Sequence, residues 1–205
     1  MASAWCSGRA CPRRPEAKSG MFMPRLLLAF VGLLPLPVFA IDPGALAPEA
    51  AGVVLQGPPG IKLSLLRTPG RVVVVDFWAS WCGPCLQAIP EINAMREGLV
   101  HEGFGDRFEV LGVSLDSDVK MARRFLEKTP VSYPVVDDVM GISTASYGIW
   151  RLPATFLIEP NGRILYIYHG YGQGFTADLR KRVLDLLKPE ERKPGFFSGA
   201  LKQPA

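Results

Sequence analysis

A continuous apolar run covers residues 72–78, where four valines are followed by Asp, Phe and Trp. A run without polar alternation predicts a strand buried on both faces, which is typical of the middle of a sheet covered by helices. Residues 108–115 predict a second strand of this kind. Apolar residues recur at helical spacing over about residues 85–97 and over residues 175–187, and this predicts two amphipathic helices.

Two pairs of short apolar segments flank turn sequences. The first pair predicts a small hairpin or paired short strands, and the second pair predicts a β-hairpin. Residues 53–55 and 61–66 lie on either side of Gly-Pro-Pro-Gly, and residues 155–158 and 163–168 lie on either side of Glu-Pro-Asn-Gly. Gly, Pro and Asn favour the backbone angles of tight turns.

Between the second buried run and the second hairpin, the pattern predicts two further helices and one short strand. Asp116 or Ser117 is placed to cap a helix whose apolar residues share one face. Residues 133–136 predict the strand, and residues 142–147 predict a turn or two of helix. Strands and helices therefore alternate up to this point, and a hairpin and a final helix follow, so the fold class is α/β.

The length of 205 residues suits one domain of ordinary size with tails. The predicted elements span residues 53–187. Residues 41–52 are rich in Ala, Pro and Gly and predict a flexible lead-in. Residues 188–205 alternate Pro, Gly and charge and predict a disordered C-terminal tail.

Residues 1–40 form an N-terminal extension that ends like a secretory signal peptide. Arg25 precedes an apolar run, two prolines interrupt it, and Ala40 ends a small-residue cleavage pattern. An uncleaved membrane anchor is the alternative, although the fifteen residues 26–40 are fewer than the roughly 20 that span a bilayer. Both interpretations place the domain in the periplasm, and the second keeps it associated with the membrane.

The distribution of charge along the chain bears on whether the protein binds nucleic acid. The formal net charge is +4 and lies entirely within residues 1–40, so the remainder of the chain is neutral. Nothing in this remainder favours nucleic acid as a partner.

The first buried run leads directly into Cys-Gly-Pro-Cys at residues 82–85. Cys6 and Cys11 lie before the predicted cleavage site, so an exported protein would keep only Cys82 and Cys85. A single pair two residues apart cannot staple distant parts of a fold, and its predicted use is thiol–disulfide exchange. Half of a zinc site would need another cysteine pair or histidine ligands, and the chain has only two histidines.

The pentapeptide WCGPC at residues 81–85 matches the thioredoxin active-site sequence letter for letter. The chain resembles the thioredoxin superfamily over residues 53–187. The long segment between Cys85 and Pro153, together with the predicted signal, resembles the periplasmic TlpA/ResA/CcmG group, as does the later run LPATFLI. The resemblance implies a thioredoxin fold, a central mixed β-sheet flanked by helices, with an inserted βα unit of the TlpA type.

Cys82 is placed at the start of a predicted helix, where unpaired N–H groups and the helix dipole favour a thiolate. Cys82 is therefore predicted to be the nucleophile, and Cys85 the resolving thiol that attacks the mixed disulfide.

Asp76 interrupts the valine run, where a carboxylate is costly unless it has a partner or a task. The resemblance to thioredoxin implies that Asp76 accepts the proton of Cys85, and burial would raise its pKa to suit that role. A solvated carboxylate at the end of the strand is the alternative. Many TlpA-type proteins instead carry a neutral residue here and a Glu three residues after the second cysteine, where this chain has Ala88.

The same resemblance implies that Pro153 is the cis-proline opposite the active site and that Leu152 offers its backbone to an extended substrate; an ordinary trans proline is the alternative. Trp81, Gly83 and Pro84 complete the implied substrate-binding residues. The implied partners are protein thiols and disulfides and a membrane thiol electron donor. No cofactor beyond the redox-active disulfide and no metal is expected.

The function predicted is that of an enzyme, an exported thiol–disulfide oxidoreductase. Its Gly-Pro dipeptide is that of reducing thioredoxins, and the resemblance implies a reductase in cytochrome c maturation or oxidase assembly. A Cu(I)-binding metallochaperone is the alternative, because two adjacent thiolates suit Cu(I). A peroxiredoxin is rejected, because its Pro-x-x-x-Thr/Ser-x-x-Cys pattern meets Val75 and Ala79 here.

Overall fold

The structure, a computed structural model, describes residues 41–188. The predicted signal, residues 1–40, and the predicted tail beyond Lys188 lie outside these residues. The described part contains strands and helices in the order β1 (Val53–Gln56), α1 (Leu63–Leu66), β2 (Val72–Trp78), α2 (Gly83–Leu99), β3 (Phe108–Ser114), α3 (Val119–Lys128), β4 (Val135–Asp137), α4 (Ile142–Ser146), β5 (Ala154–Ile158), β6 (Ile164–His169) and α5 (Phe175–Leu187). A short π-helical turn, Val100–Phe104, extends α2.

The strands form one mixed sheet in the order β1-β4-β3-β2-β5-β6. The strands β2, β3 and β4 run parallel to one another. The strands β5 and β6 form the predicted hairpin, and β5 pairs antiparallel with β2. This is the thioredoxin arrangement with one additional strand and one additional helix before the hairpin, so the predicted fold is confirmed.

Every residue of β2 is buried, as expected for a central strand. Because side chains alternate along a strand, successive residues of β2 face opposite sides of the sheet. Val72, Val74 and Trp78 face a core that also contains residues of α2, α3 and α5. The opposite core, which contains residues of α1, receives Val73, Val75 and Phe77. Asp76 belongs to the first series and therefore lies on the face of the sheet that α2 covers.

The prediction of a strand over residues 61–66 is wrong. Leu63 and Leu66 are both buried and lie three residues apart, which matches one turn of helix, α1, rather than the alternation of a strand. The first predicted hairpin therefore does not form, and β1 pairs antiparallel with β4 instead.

The segment predicted to be a flexible lead-in, residues 41–52, lies instead against the sheet and α1. Ala47 and Ala50 are buried. Ala50 accepts a hydrogen bond from the backbone of Leu63 at 2.9 Å, and Ala45 accepts one from Ile164 at 2.9 Å. Small residues allow this close packing, and composition alone does not distinguish it from flexibility.

No helix within residues 41–188 has both the length and the apolar character needed to cross a membrane.

Candidate active site

The two cysteines lie at the junction of β2 and α2. Cys82 is the N-cap of α2, with an extended backbone, and its Sγ accepts a hydrogen bond from the backbone N–H of Cys85 at 3.3 Å. The two residues form a disulfide, and their Cα atoms are 5.2 Å apart. In the reduced protein the same N–H group and the helix dipole stabilise a thiolate at Cys82.

The two cysteines differ in their exposure to solvent. Cys82 is 6% exposed, whereas Cys85, in the first turn of α2, is completely buried. An incoming disulfide can therefore reach only Cys82, which fits the predicted order of attack.

Asp76 lies in the interior, on the side of the sheet covered by α2, and is completely buried. Its Oδ1 accepts a hydrogen bond from Thr155 Oγ1 at 2.7 Å, and its Oδ2 has no hydrogen-bond partner among the described residues. Burial raises the pKa of this carboxyl from 3.8 to about 7, against a smaller opposing effect of the Thr155 hydrogen bond. The alternative of a solvated carboxylate does not fit this position. Ala88 is buried as well, so the position three residues after Cys85 supplies no acid.

Gly112 contributes to the shielding of Asp76 from solvent, and the sequence pattern did not indicate this role. It lies opposite Asp76 in the neighbouring strand β3. A Cβ at this glycine would lie 3.2 Å from the ring of Tyr133 and 3.3 Å from Nε1 of Trp78. The absence of a side chain lets these two large buried rings cover the strand beside the carboxylate. Burial and, secondarily, the charge of Asp76 raise the pKa of the Tyr133 phenol, which therefore stays neutral.

Asp116 has a different role from the one predicted. It is buried, and its carboxylate accepts hydrogen bonds from Ser80 N at 2.9 Å, from Ser80 Oγ at 2.6 Å and from Ser114 Oγ at 3.0 Å. It therefore holds the loop that presents Cys82. The helix α3 begins later, and its cap is Asp118, whose carboxylate accepts from Lys120 N at 2.9 Å. Neither Asp116 nor Ser117 is the cap.

The Leu152–Pro153 peptide bond is cis, as the resemblance implied. Pro153 itself is buried, whereas Leu152 lines a groove of about 530 Å³ together with Trp81, Cys82, Gly83 and Pro84. The groove thus contains four of the five predicted substrate-binding residues. Ile149, Trp150 and Arg151 line it too and were not predicted. Their adjacency to Leu152 in the chain was the only available signal.

Within residues 41–188, no group of three or more His, Cys, Asp or Glu side chains is placed to hold a metal ion.

The thioredoxin fold, the disulfide at the start of α2 and the buried acid together define a thioredoxin-like thiol–disulfide oxidoreductase. The chain belongs to the AhpC/TSA family, whose model matches residues 43–167.

Its relatives include proteins named for the same activity. It is 30% identical over 150 residues to the thiol-disulfide oxidoreductase ResA of Geobacillus thermodenitrificans, covering 73% of this chain and 80% of the relative. It is 28% identical to ResA of Halalkalibacterium halodurans, covering 69% and 77%. A crystal structure of a putative thiol:disulfide interchange protein DsbE from Chlorobium tepidum matches with a TM-score of 0.63 and 35% identity, covering 72% of this chain and 99% of that one.

Proposed function

We propose that this protein is an exported reductase of protein disulfides that uses Cys82 as nucleophile and Cys85 as resolving thiol. The observation that carries the proposal is the asymmetry of the pair. Cys82 is slightly exposed at a helix N-terminus, whereas Cys85 is completely buried on the side of the sheet where Asp76 lies. The names of the relatives support the general activity.

The first step is attack of the Cys82 thiolate on a substrate disulfide. A mixed disulfide forms between Cys82 and one substrate sulfur, and the other substrate sulfur leaves as a thiolate. The hydrogen bond from Cys85 N and the N-terminus of α2 favour the thiolate form of Cys82.

The second step requires Cys85 to lose its proton inside the protein. Asp76 is the candidate acceptor, because its pKa of about 7 lies near ambient pH, where a general base works best. The Cys85 thiolate then attacks Cys82, the second substrate sulfur leaves, and the Cys82–Cys85 disulfide remains. Two electrons have moved from the protein to the substrate.

Export and direction rest on the sequence. The signal-like segment within residues 1–40 supports a periplasmic location, and the Gly-Pro dipeptide between the cysteines supports a reductant. A reductant outside the cytoplasm must be recharged, which requires a membrane thiol donor. By resemblance, its targets are proteins whose cysteines must be reduced during cytochrome c maturation or oxidase assembly.

Membership of the AhpC/TSA family does not imply peroxidase activity for this protein. Val75 and Ala79 occupy the positions of the Pro and the Thr or Ser in the peroxiredoxin pattern before Cys82. The proposal also uses no metal and no redox group beyond the cysteine pair.

Single-cysteine variants test the roles of the two sulfurs. In a background with Cys6 and Cys11 replaced by serine, Cys82→Ser should abolish reduction of insulin disulfides. Cys85→Ser should accumulate a mixed disulfide with the substrate, which gel electrophoresis without a reducing agent separates from the free protein. A covalent complex formed by Cys82→Ser and not by Cys85→Ser would contradict the assignment.

A further inference from the structure

Two exposed tryptophans lie beside Cys82. Trp81 precedes α2 and Trp150 precedes β5, and both line the groove that contains Cys82. Their exposed fractions are 68% and 72%. The ring of Trp150 packs against that of His169, with centroids 5.3 Å apart, which restricts its position. Large aromatic faces left exposed beside a reactive centre are typical of a surface that binds an apolar side chain.

Arg151 adds a charge to this surface. It is exposed and is the one charged residue among the described residues that line the groove. It also lines an adjoining depression of about 280 Å³ with Tyr168, His169 and Tyr171, where no carboxylate is present among the described lining residues.

The guanidinium of Arg151 has a defined position. A Cβ at Gly170 would lie 3.4 Å from Cζ and from Nε of Arg151, so the side chain packs over the bare backbone of this glycine. Among the described residues, no hydrogen bond or ion pair joins Arg151 to an acidic group. A guanidinium that pairs with no acid of its own protein is suited to bind a carboxylate of another molecule, through two parallel hydrogen bonds.

We propose that the groove selects acidic cysteine-containing segments. Arg151 pairs with a substrate carboxylate next to the reacting cysteine, while Trp81 and Trp150 contact an apolar side chain of the same segment. The inference rests on the reductase activity proposed above and adds the class of protein segment that the enzyme prefers. Arg151 immediately precedes Leu152, so a segment extended along the Leu152 backbone passes within reach of its side chain.

Matched peptide disulfides test the preference. Each substrate is a disulfide-linked dimer of one peptide with a single cysteine and an apolar residue nearby, and the two versions carry either Glu or Lys on both sides of the cysteine. The reduced protein, with Cys6 and Cys11 replaced by serine, is mixed with an equal concentration of dimer. Samples are quenched in acid, and the remaining dimer is measured by chromatography. In each turnover the protein dithiol becomes the Cys82–Cys85 disulfide and one dimer becomes two peptide thiols.

We expect the wild-type protein to reduce the Glu peptide with a second-order rate constant about fivefold higher than for the Lys peptide at low salt, and the ratio to shrink as salt is added. Arg151→Glu should invert the ratio, and Arg151→Lys should retain part of it. Arg124→Glu makes the same charge change on the exposed face of α3, outside the groove lining, and should keep the wild-type ratio.

The outcomes separate the two proposals. Equal rates for both peptides, unchanged by Arg151→Glu, would overturn the inference while leaving the reductase activity intact. An equal loss of preference in Arg124→Glu would also overturn it, because the effect would then reflect total charge. Failure to reduce either peptide would refute the proposed function itself.

Discussion

The ionisation of Asp76 should make the protein less stable as the pH rises, and Asp76→Asn should remove this effect. The pKa of the carboxyl is 3.8 in an unfolded chain and about 7 in the folded protein. Below about pH 4 both states hold the proton, and the carboxyl makes no pH-dependent contribution. Between the two pKa values the folded state binds more protons than the unfolded state, so stability falls as the pH rises, until the folded state also ionises.

The size of the effect follows from the same two pKa values. Each pKa unit corresponds to about 1.4 kcal/mol, so the full destabilisation above pH 7 is at most about 4 kcal/mol, of which about 1 to 2 kcal/mol is already present at about pH 5. The amide of Asn has nearly the same shape and can still accept the hydrogen bond from Thr155. The difference in free energy of unfolding, Asp76→Asn minus wild type, should therefore be about 2 to 3 kcal/mol larger at about pH 9 than at about pH 5.

Urea unfolding of the oxidised proteins at both pH values measures this difference, with Cys6 and Cys11 replaced by serine to prevent disulfide exchange. Comparing the change with pH cancels any constant offset between Asp and Asn. Asp106→Asn, an exposed carboxylate, is the matched control. Parallel pH curves for the wild-type protein and Asp76→Asn would refute the argument that Asp76 is a dry carboxyl with a raised pKa.

Two further predictions concern the kinetics and the loop before Cys82. Asp76→Asn should slow resolution of the mixed disulfide more than the first attack, because only the second step needs a proton acceptor; stopped-flow traces in which neither step changes would contradict this role. Asp116→Ala should lower the free energy of unfolding by about 2 to 4 kcal/mol, because it removes hydrogen bonds to a charged acceptor and leaves the N–H of Ser80 unpaired. Ser80→Ala loses one hydroxyl bond and should cost about 1 kcal/mol in urea titrations; equal losses in the two variants would show that the carboxylate does not organise the loop.

Much of the fold and the central chemistry could be predicted from the sequence, because the signals were local. The four valines before Asp76 predicted a central strand, and the Cys-Gly-Pro-Cys motif after it predicted the helix start and the exchange chemistry. The final helix, residues 175–187, was predicted with the bounds that the structure shows, since its apolar residues are spaced at four.

The features that were missed depend on distant parts of the chain. The helix α1 and the partner of β1 could not be predicted. The apolar residues of this segment fit both helical and strand spacing, so its secondary structure depends on the residues that pack against it. Asp116 looked like a helix cap, since capping and loop bonding use the same side chain. The groove residues Trp150 and Arg151 acquire their significance only where the turn before β5 meets the start of α2.

The direction of electron flow is central to the proposed function, and the redox state of the cysteine pair in the native host measures it. Thiol trapping in intact cells, with Cys82 and Cys85 read separately from Cys6 and Cys11, reports the fraction reduced. The proposed reductase should keep Cys82 and Cys85 mainly reduced and should become oxidised when the membrane thiol donor is deleted. A pair that is mainly oxidised in wild-type cells would contradict the proposal and would make the protein a donor of disulfides.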